Sequence, residues 1–286
     1  MNAARQNFEQ PTPPTRLGAA FLTPAAALML WAAFIWTRDL AWLLKAEDTL
    51  PVIAGIPLAI WLGWPWRLAR YPKPLHSTWT TVAALLGILG VMLDITLVLT
   101  LAWLSAVWAW CHGVLDGAER RKLLPLLAVA GQSFPWIVQD FAFVGWWFRL
   151  SGSWAASGIF RLLQFPVARE GTHFSIQGVP ISVDAACSGL NTLQSILLAG
   201  ALAAYLVFGS RKLFWVNLPL LIGVAWCANL LRILMLSVAA LTMGSTFANG
   251  PFHHTSGWLV VLCMFLICFP FFKLQKSVLC TTNAHP

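Results

Sequence analysis

The chain has 286 residues, 59% of them hydrophobic and only 10% charged, with 17 Trp. A soluble domain carries roughly 25% charged residues, so composition sets aside a water-soluble globular protein in favour of an all-α polytopic membrane protein. The formal charge is +8, but no basic stripe is interleaved with exposed aromatics; nucleic acid is excluded as a partner, and the positive residues are read as markers of cytoplasmic loops.

Residues 1–17 are polar and proline-rich, "QPTPPTR" at their core, and read as a disordered cytoplasmic tail. They lack the order of regions that marks a cleavable signal peptide. About eight transmembrane helices follow, over 19–37, 51–66, 78–93, 95–112, 123–148, 188–208, 213–232 and 257–275. A span needs about 20 apolar residues, so 51–66 is short. The run 78–112 is split at Asp94; a single tilted helix there lowers the count by one. Residues 18–276 form one helical membrane domain, and 277–286 a second cytoplasmic tail.

Basic residues test this order. With the N-terminus inside, the inner loops hold Arg5, Arg16, Arg67, Arg70, Lys73, Arg120, Arg121, Lys122, Arg211, Lys212, Lys273 and Lys276. The outer loops hold Arg38, Lys45, Arg149, Arg161, Arg169 and Arg232, half as many, which is the bias expected of cytoplasmic loops. The clusters "ERRK" (119–122), "SRK" (210–212) and "FKLQK" (272–276) place 149–187 and 233–256 on the outer face and both termini in the cytoplasm.

Within the first outer segment, "SWAASGIFRLLQFPVA" reads as an amphipathic or re-entrant helix at the interface. "REGTHFSIQGVPISVDAAC" alternates polar and β-forming residues around Gly178-Val179-Pro180, which predicts a short outer-face ribbon or hairpin delivering the chain to Cys187.

Of six cysteines, none forms a CxxC pair, so metal-ligand spacing is absent and no cofactor is expected. Cys111, Cys227, Cys263 and Cys268 fall in apolar spans and are read as small core residues. Cys280 lies in the inner tail. Cys187 differs: it sits on the outer side at the first turn of a helix, where free N–H groups and the dipole stabilise a thiolate. Ser188 and Gly189 leave room for a substrate. The bland alternative is a small-residue packing patch, "AACSG".

A nucleophilic thiol needs a base and a group to hold an oxyanion. Asn229 and Arg232 share one helix face, and an Arg at a membrane boundary is either functional or snorkelling to headgroups. His253 and His254 precede the last span as candidate bases. Asp184, three residues before Cys187, either orients a base or caps the helix. His76, His112 and His285 fall on the inner side, and His173 in the ribbon.

"ACSGLNTLQ" (186–194), "NLLRI" (229–233) and "HHTSGW" (253–258), in that order, resemble the exosortase/archaeosortase family. The resemblance spans roughly residues 120–275, and its H-x-x-x-G spacing selects His253, four residues before Gly257, over His254. It implies a cysteine peptidase-like transpeptidase of a bacterial or archaeal cytoplasmic membrane. Such enzymes cut C-terminal sorting signals, such as PEP-CTERM tails, from membrane-anchored substrate proteins, with a surface glycan or lipid among the candidate acceptors. The implied roles are Cys187 as nucleophile, His253 as acid/base and Arg232 as oxyanion or carboxylate ligand.

Two other readings compete. A transporter or assembly scaffold would pair Arg232 with Asp140 or Asp184 and use the cysteine for packing, but the inverted repeats common in transporters are missing. An enzyme on lipid-linked glycans would want a carboxylate cluster, and Asp39, Glu47, Asp48, Glu170 and Asp184 form no DxD-like group.

Overall fold

The structure, a computed structural model, describes residues 15–44, 52–69, 73–182 and 190–282. Most of the expected N-terminal tail therefore lies outside the described residues, and α1 (Thr15–Thr37) begins within it. A one-turn helix, α2 (Leu40–Leu43), is capped by the Asp39 side chain, which accepts from the Trp42 amide at 2.9 Å. The expected span 51–66 is observed as the nine-residue α3 (Gly55–Gly63). At about 1.5 Å per residue this helix is too short to cross a bilayer.

The run 78–112 is two helices, α4 (Ser77–Leu93) and α5 (Thr96–Val114). Asp94 ends α4 in the left-handed conformation (φ 56°), which short polar side chains tolerate. The reversal is tight: a Cβ on Gly90 would lie 2.8 Å from a Leu99 methyl.

The expected span 123–148 is not continuous. α6 (Arg120–Gly131) stops, α7 (Trp136–Asp140) makes one turn, and α8 (Ala142–Leu162) restarts. Pro135 lacks an amide and disfavours helix at the residue before it. The freed carbonyls of residues 131–134 each receive a side-chain donor. Trp136 reaches Gly131 at 3.1 Å, Trp36 reaches Ser133 at 2.7 Å, and the Gln194 amide reaches Gln132 at 3.1 Å and Phe134 at 2.5 Å. In an apolar surrounding, irregular backbone persists only where protein satisfies it in this way. Asp140 caps α5 through the amides of Thr96 and Leu97, at 3.1 and 2.6 Å. Because α8 runs unbroken to Leu162, Arg149 lies mid-helix rather than in a loop, and the expected interface helix is the second half of α8.

The ribbon is a three-stranded antiparallel meander, β1 (Val167–Glu170), β2 (His173–Ile176) and β3 (Val179–Ser182). Gln177 and Gly178, both at positive φ (53° and 83°), form the two-residue turn that matches strand twist. Ile176 pairs with Val179 across it and His173 with Ser182 at the far end. Phe174 and Ile176 bury one sheet face against Ala156 and Phe160 of α8.

Three long helical segments finish the fold: α9 (Leu190–Phe208), α10 (Lys212–Met243) and, after the short α11 (Ser245–Asn249), α12 (Pro251–Thr282). α10 continues eleven residues past Arg232, the end of the expected span 213–232, and α12 runs into the expected C-terminal tail. Lys276 of α12 donates to the Val207 carbonyl at 2.7 Å, bringing the ends of α9 and α12 together. The main core joins α1, α3, α5, α6, α9, α10 and α12 through small or aromatic side chains such as Ala32, Ala203, Ala204, Phe134 and Phe272.

Large apolar side chains point the other way. Met92 is 78% exposed, and Leu85, Ile88, Leu262, Leu266 and Ile267 are also outward. Among the described residues three segments, Thr96–Val114, Lys212–Met243 and Thr255–Val278, are long and apolar enough to cross a membrane. Large apolar side chains turned outward along helices of this length are what a lipid surrounding accommodates. The chain is a helical membrane protein.

Candidate active site

On α10, Asn229 and Arg232 lie three residues apart and share a face. Both are buried, at 1% and 8% exposure. Facing them, α12 opens with Pro251, suited to a first helical turn, and carries His253 and Gly257 one turn apart. Arg232 Nη2 donates to the His253 carbonyl at 3.1 Å and lies 3.2 Å from His253 Nε2. A guanidinium has donors only, so Nε2 meets it as the acceptor and the ring proton belongs on Nδ1. The buried Ser256 hydroxyl donates to the same carbonyl at 2.9 Å. Gly257 lies against the guanidinium: a Cβ there would stand 3.7 Å from Arg232 Cζ and Nη2.

Arg232 and Asn229 are under-satisfied among the described residues. Among the described residues no carboxylate pairs with Arg232. Arg232 Nε and both amide atoms of Asn229 are buried without a hydrogen-bond partner there. Each unmatched buried polar atom costs about 1–3 kcal/mol. Three of them within one turn of α10 make a polar patch able to hold a carbonyl, an oxyanion or a carboxylate.

The sequence matches the transmembrane exosortase family (Exosortase_EpsH) over residues 42–270, most of the chain. The chain belongs to the exosortase family. Comparisons with curated proteins and with solved structures give no match.

In this exosortase, three of the residues singled out by sequence, Arg232, His253 and Gly257, meet in one contact set, and Asn229 lies one turn from Arg232. Cys187, Asp184, Ser188 and Gly189 fall outside the described residues, as does the side chain of His254. The flanks of 183–189 are described. β3 ends at Ser182, and its sheet shares a cluster with Ile233, the neighbour of Arg232. α9 begins at Leu190, buried with Ala228, the neighbour of Asn229, and with Val260, three residues after Gly257. Both flanks thus abut the layer of the Arg232–His253 pair.

The pairing of Arg232 with Asp140 that a scaffold would use is absent, since Asp140 is engaged by the α5 amides. Three contributors went unnoticed in the sequence. Gly152 of α8 lets that helix approach Asn229; a Cβ there would sit 3.8 Å from its Nδ2 and 2.8 Å from an Ile233 methyl. Ser256 fixes the His253 carbonyl, and its place inside "HHTSGW" was the available signal. Gln194, the last residue of "ACSGLNTLQ", holds the break between α6 and α7; Pro135 was the available signal for the break, but nothing in the sequence ties it to Gln194.

Proposed function

We propose that this exosortase is a membrane cysteine transpeptidase that cleaves C-terminal sorting signals, PEP-CTERM-like in kind, at the outer face of the cytoplasmic membrane. The observation that carries the reading is the buried Arg232–His253 contact, with its unmatched Nε and Asn229 amide, flanked on both sides by the ends of the segment containing Cys187. Cys187 stands three positions before Leu190, a chain length of at most about 11 Å, and this short tether supports a thiol that works with the pair.

In the reaction, Arg232 Nη2 gives up its contact with His253 Nε2 as that nitrogen takes the proton of the Cys187 thiol, and sulfur attacks the scissile carbonyl carbon. The oxyanion that forms is met by the Arg232 guanidinium, with the Asn229 amide as a neighbouring donor. Collapse breaks the C–N bond, and the imidazolium protonates the leaving amine. The thioester on Cys187 then passes to water, an amine or another acceptor nucleophile, and His253 takes up that nucleophile's proton. No metal or cofactor enters these steps.

Helix lengths support the placement at a boundary. Lys212 and Arg232 are 20 positions apart on α10, as are His253 and Lys273 on α12. At about 1.5 Å per residue each pair spans about 30 Å, the thickness of a hydrocarbon core. The lysines then mark the cytoplasmic boundary and the Arg–His pair the outer one. The other apolar helices complete a polytopic bundle with cytoplasmic termini.

The test is capture of a thioester between the full-length protein and a co-expressed, tagged substrate bearing a sorting signal. The expected result is a hydroxylamine-labile adduct that Cys187→Ala abolishes at equal expression. Substrate cleavage by Cys187→Ala would refute the nucleophile and with it this function.

A further inference from the structure

A second cluster of basic side chains lies at the other end of the bundle, where the chain passes from the 64–76 loop into α4 and from α5 into α6. The His112 and His76 rings meet edge to face at 5.2 Å between centroids. Arg120 Nη1 lies 3.4 Å from His112 Nε2. Lys73 is pinned beside them by a backbone hydrogen bond from its amide to the Gly113 carbonyl at 2.9 Å. The fields of Arg120, His76 and Lys73 all bear on the His112 ring.

These charges are not neutralised by the carboxylates nearby. Glu119 is buried and bonded to Lys122 at 3.1 Å, and Asp116 accepts from the Gly117 amide at 2.7 Å. Arg120 Nε is buried without a partner among the described residues. α6 starts at Arg120 with no side-chain cap, so its positive dipole end faces the same place. Like charges held together around an unmatched guanidinium N–H form a site for a tetrahedral anion.

What lies next to the cluster identifies the anion. Trp108 stands beside His112, at 6.3 Å between ring centroids, and Trp79 packs edge to face on Trp108 at 6.4 Å. Amphipathic indoles of this kind gather at the headgroup level. The side of α4 turned away from α5 is an outward apolar face through Leu85, Ile88 and Met92. Lys276 joins Val207 near the end of α9, and the field of Glu119 reaches Tyr205 in the same turn, so the cluster shares its end with the basic ends of α10 and α12.

We propose that Lys73, His76, His112 and Arg120 bind the phosphate of an anionic phospholipid of the cytoplasmic leaflet, with an acyl chain along α4. This site is independent of the proposed catalytic residues.

The test uses full-length protein in neutral detergent, with the thermal midpoint followed against added lipid to give an apparent Kd. Phosphatidylglycerol is expected to raise the midpoint and phosphatidylcholine not to. Arg120→Gln and Lys73→Gln are each expected to weaken the phosphatidylglycerol effect roughly fivefold, as about 1 kcal/mol per basic residue at a membrane surface implies. Arg211→Gln, the same charge change at an exposed position on that end, is expected to leave it unchanged. If Arg120→Gln does not fold, exposed Lys73 and His76 carry the test. Equal protection by phosphatidylcholine, or equal weakening by Arg211→Gln, would overturn the site. Equal protection by inorganic phosphate or glycerol phosphate would overturn the lipid as its ligand.

Discussion

Replacing Arg232 by Lys keeps the charge and removes the geometry. Arg232 Nη2 reaches the His253 carbonyl at 3.1 Å and Nε2 at 3.2 Å from six bonds along its side chain. A lysine ammonium ends one bond earlier, roughly 1.3 Å short, which stretches both contacts beyond hydrogen-bonding range. The flat contact with Gly257 is also lost, because an ammonium has no plane to lay on it. In the resting protein this forfeits a charged hydrogen bond worth about 1.5–3 kcal/mol. In the proposed reaction it removes the oxyanion donor, which typically lowers the rate by about 10²–10³. The assay is cleavage of a tagged membrane substrate at matched protein level, with thermal unfolding measured in parallel to separate the two losses. Arg232→Lys within about threefold of the parent rate would refute the reasoning, since charge alone would then suffice.

Other outcomes follow from neighbouring contacts. Gly257→Ala should stay within roughly threefold of the parent cleavage rate, because a Cβ at 3.7 Å from the guanidinium is an ordinary contact, whereas Gly257→Leu should abolish cleavage by displacing Arg232. His253→Ala should be inactive and His254→Ala markedly milder in the same assay; the reverse would put the base one residue along. Asp140→Asn should lower the thermal midpoint without changing the cleavage rate of folded protein, since the cap on α5 is worth about 1 kcal/mol and lies outside the catalytic set. Gln194→Leu leaves two buried carbonyls unmatched and should cost roughly 5 °C or more in midpoint.

Where a local rule decides the conformation, the sequence was readable. Asp94, a lone acid in an apolar run, ended α4 because a charge there seeks the helix terminus and, with it, Arg38. Alternating residues around Gly178 gave strands because side-chain period and turn chemistry agree. Four-residue spacing between His253 and Gly257 became one contact face on Arg232 because helix period requires it. What failed depended on distant partners. "AVAGQSFPW" is apolar enough for an ordinary span, and three of the four freed carbonyls at its break are met by donors 60, 62 and 97 residues away. Arg232 looked like the end of a span, yet "ILMLSVAALTM" has no breaker before Gly244, so the helix runs on beside the sheet. The meeting of Arg232, His253 and Gly257 was thus legible from motif spacing, while the glycine on α8 that admits Asn229 depended on packing no spacing encodes.

The broken stretch between α6 and α7 has a bearing on how the molecule is assembled. Its four carbonyls are served by a tryptophan from α1, another from α7, and a glutamine that emerges from the ribosome some sixty residues after them. Until α9 is inserted, two of those carbonyls have no protein donor and need water at their depth. Insertion of the first half is therefore provisional, and the arrival of α9 is the step that seals it. The glutamine doing so belongs to the same helix whose start carries the segment of the proposed nucleophile, so the bundle closes and the working end is set in place by one late event in synthesis.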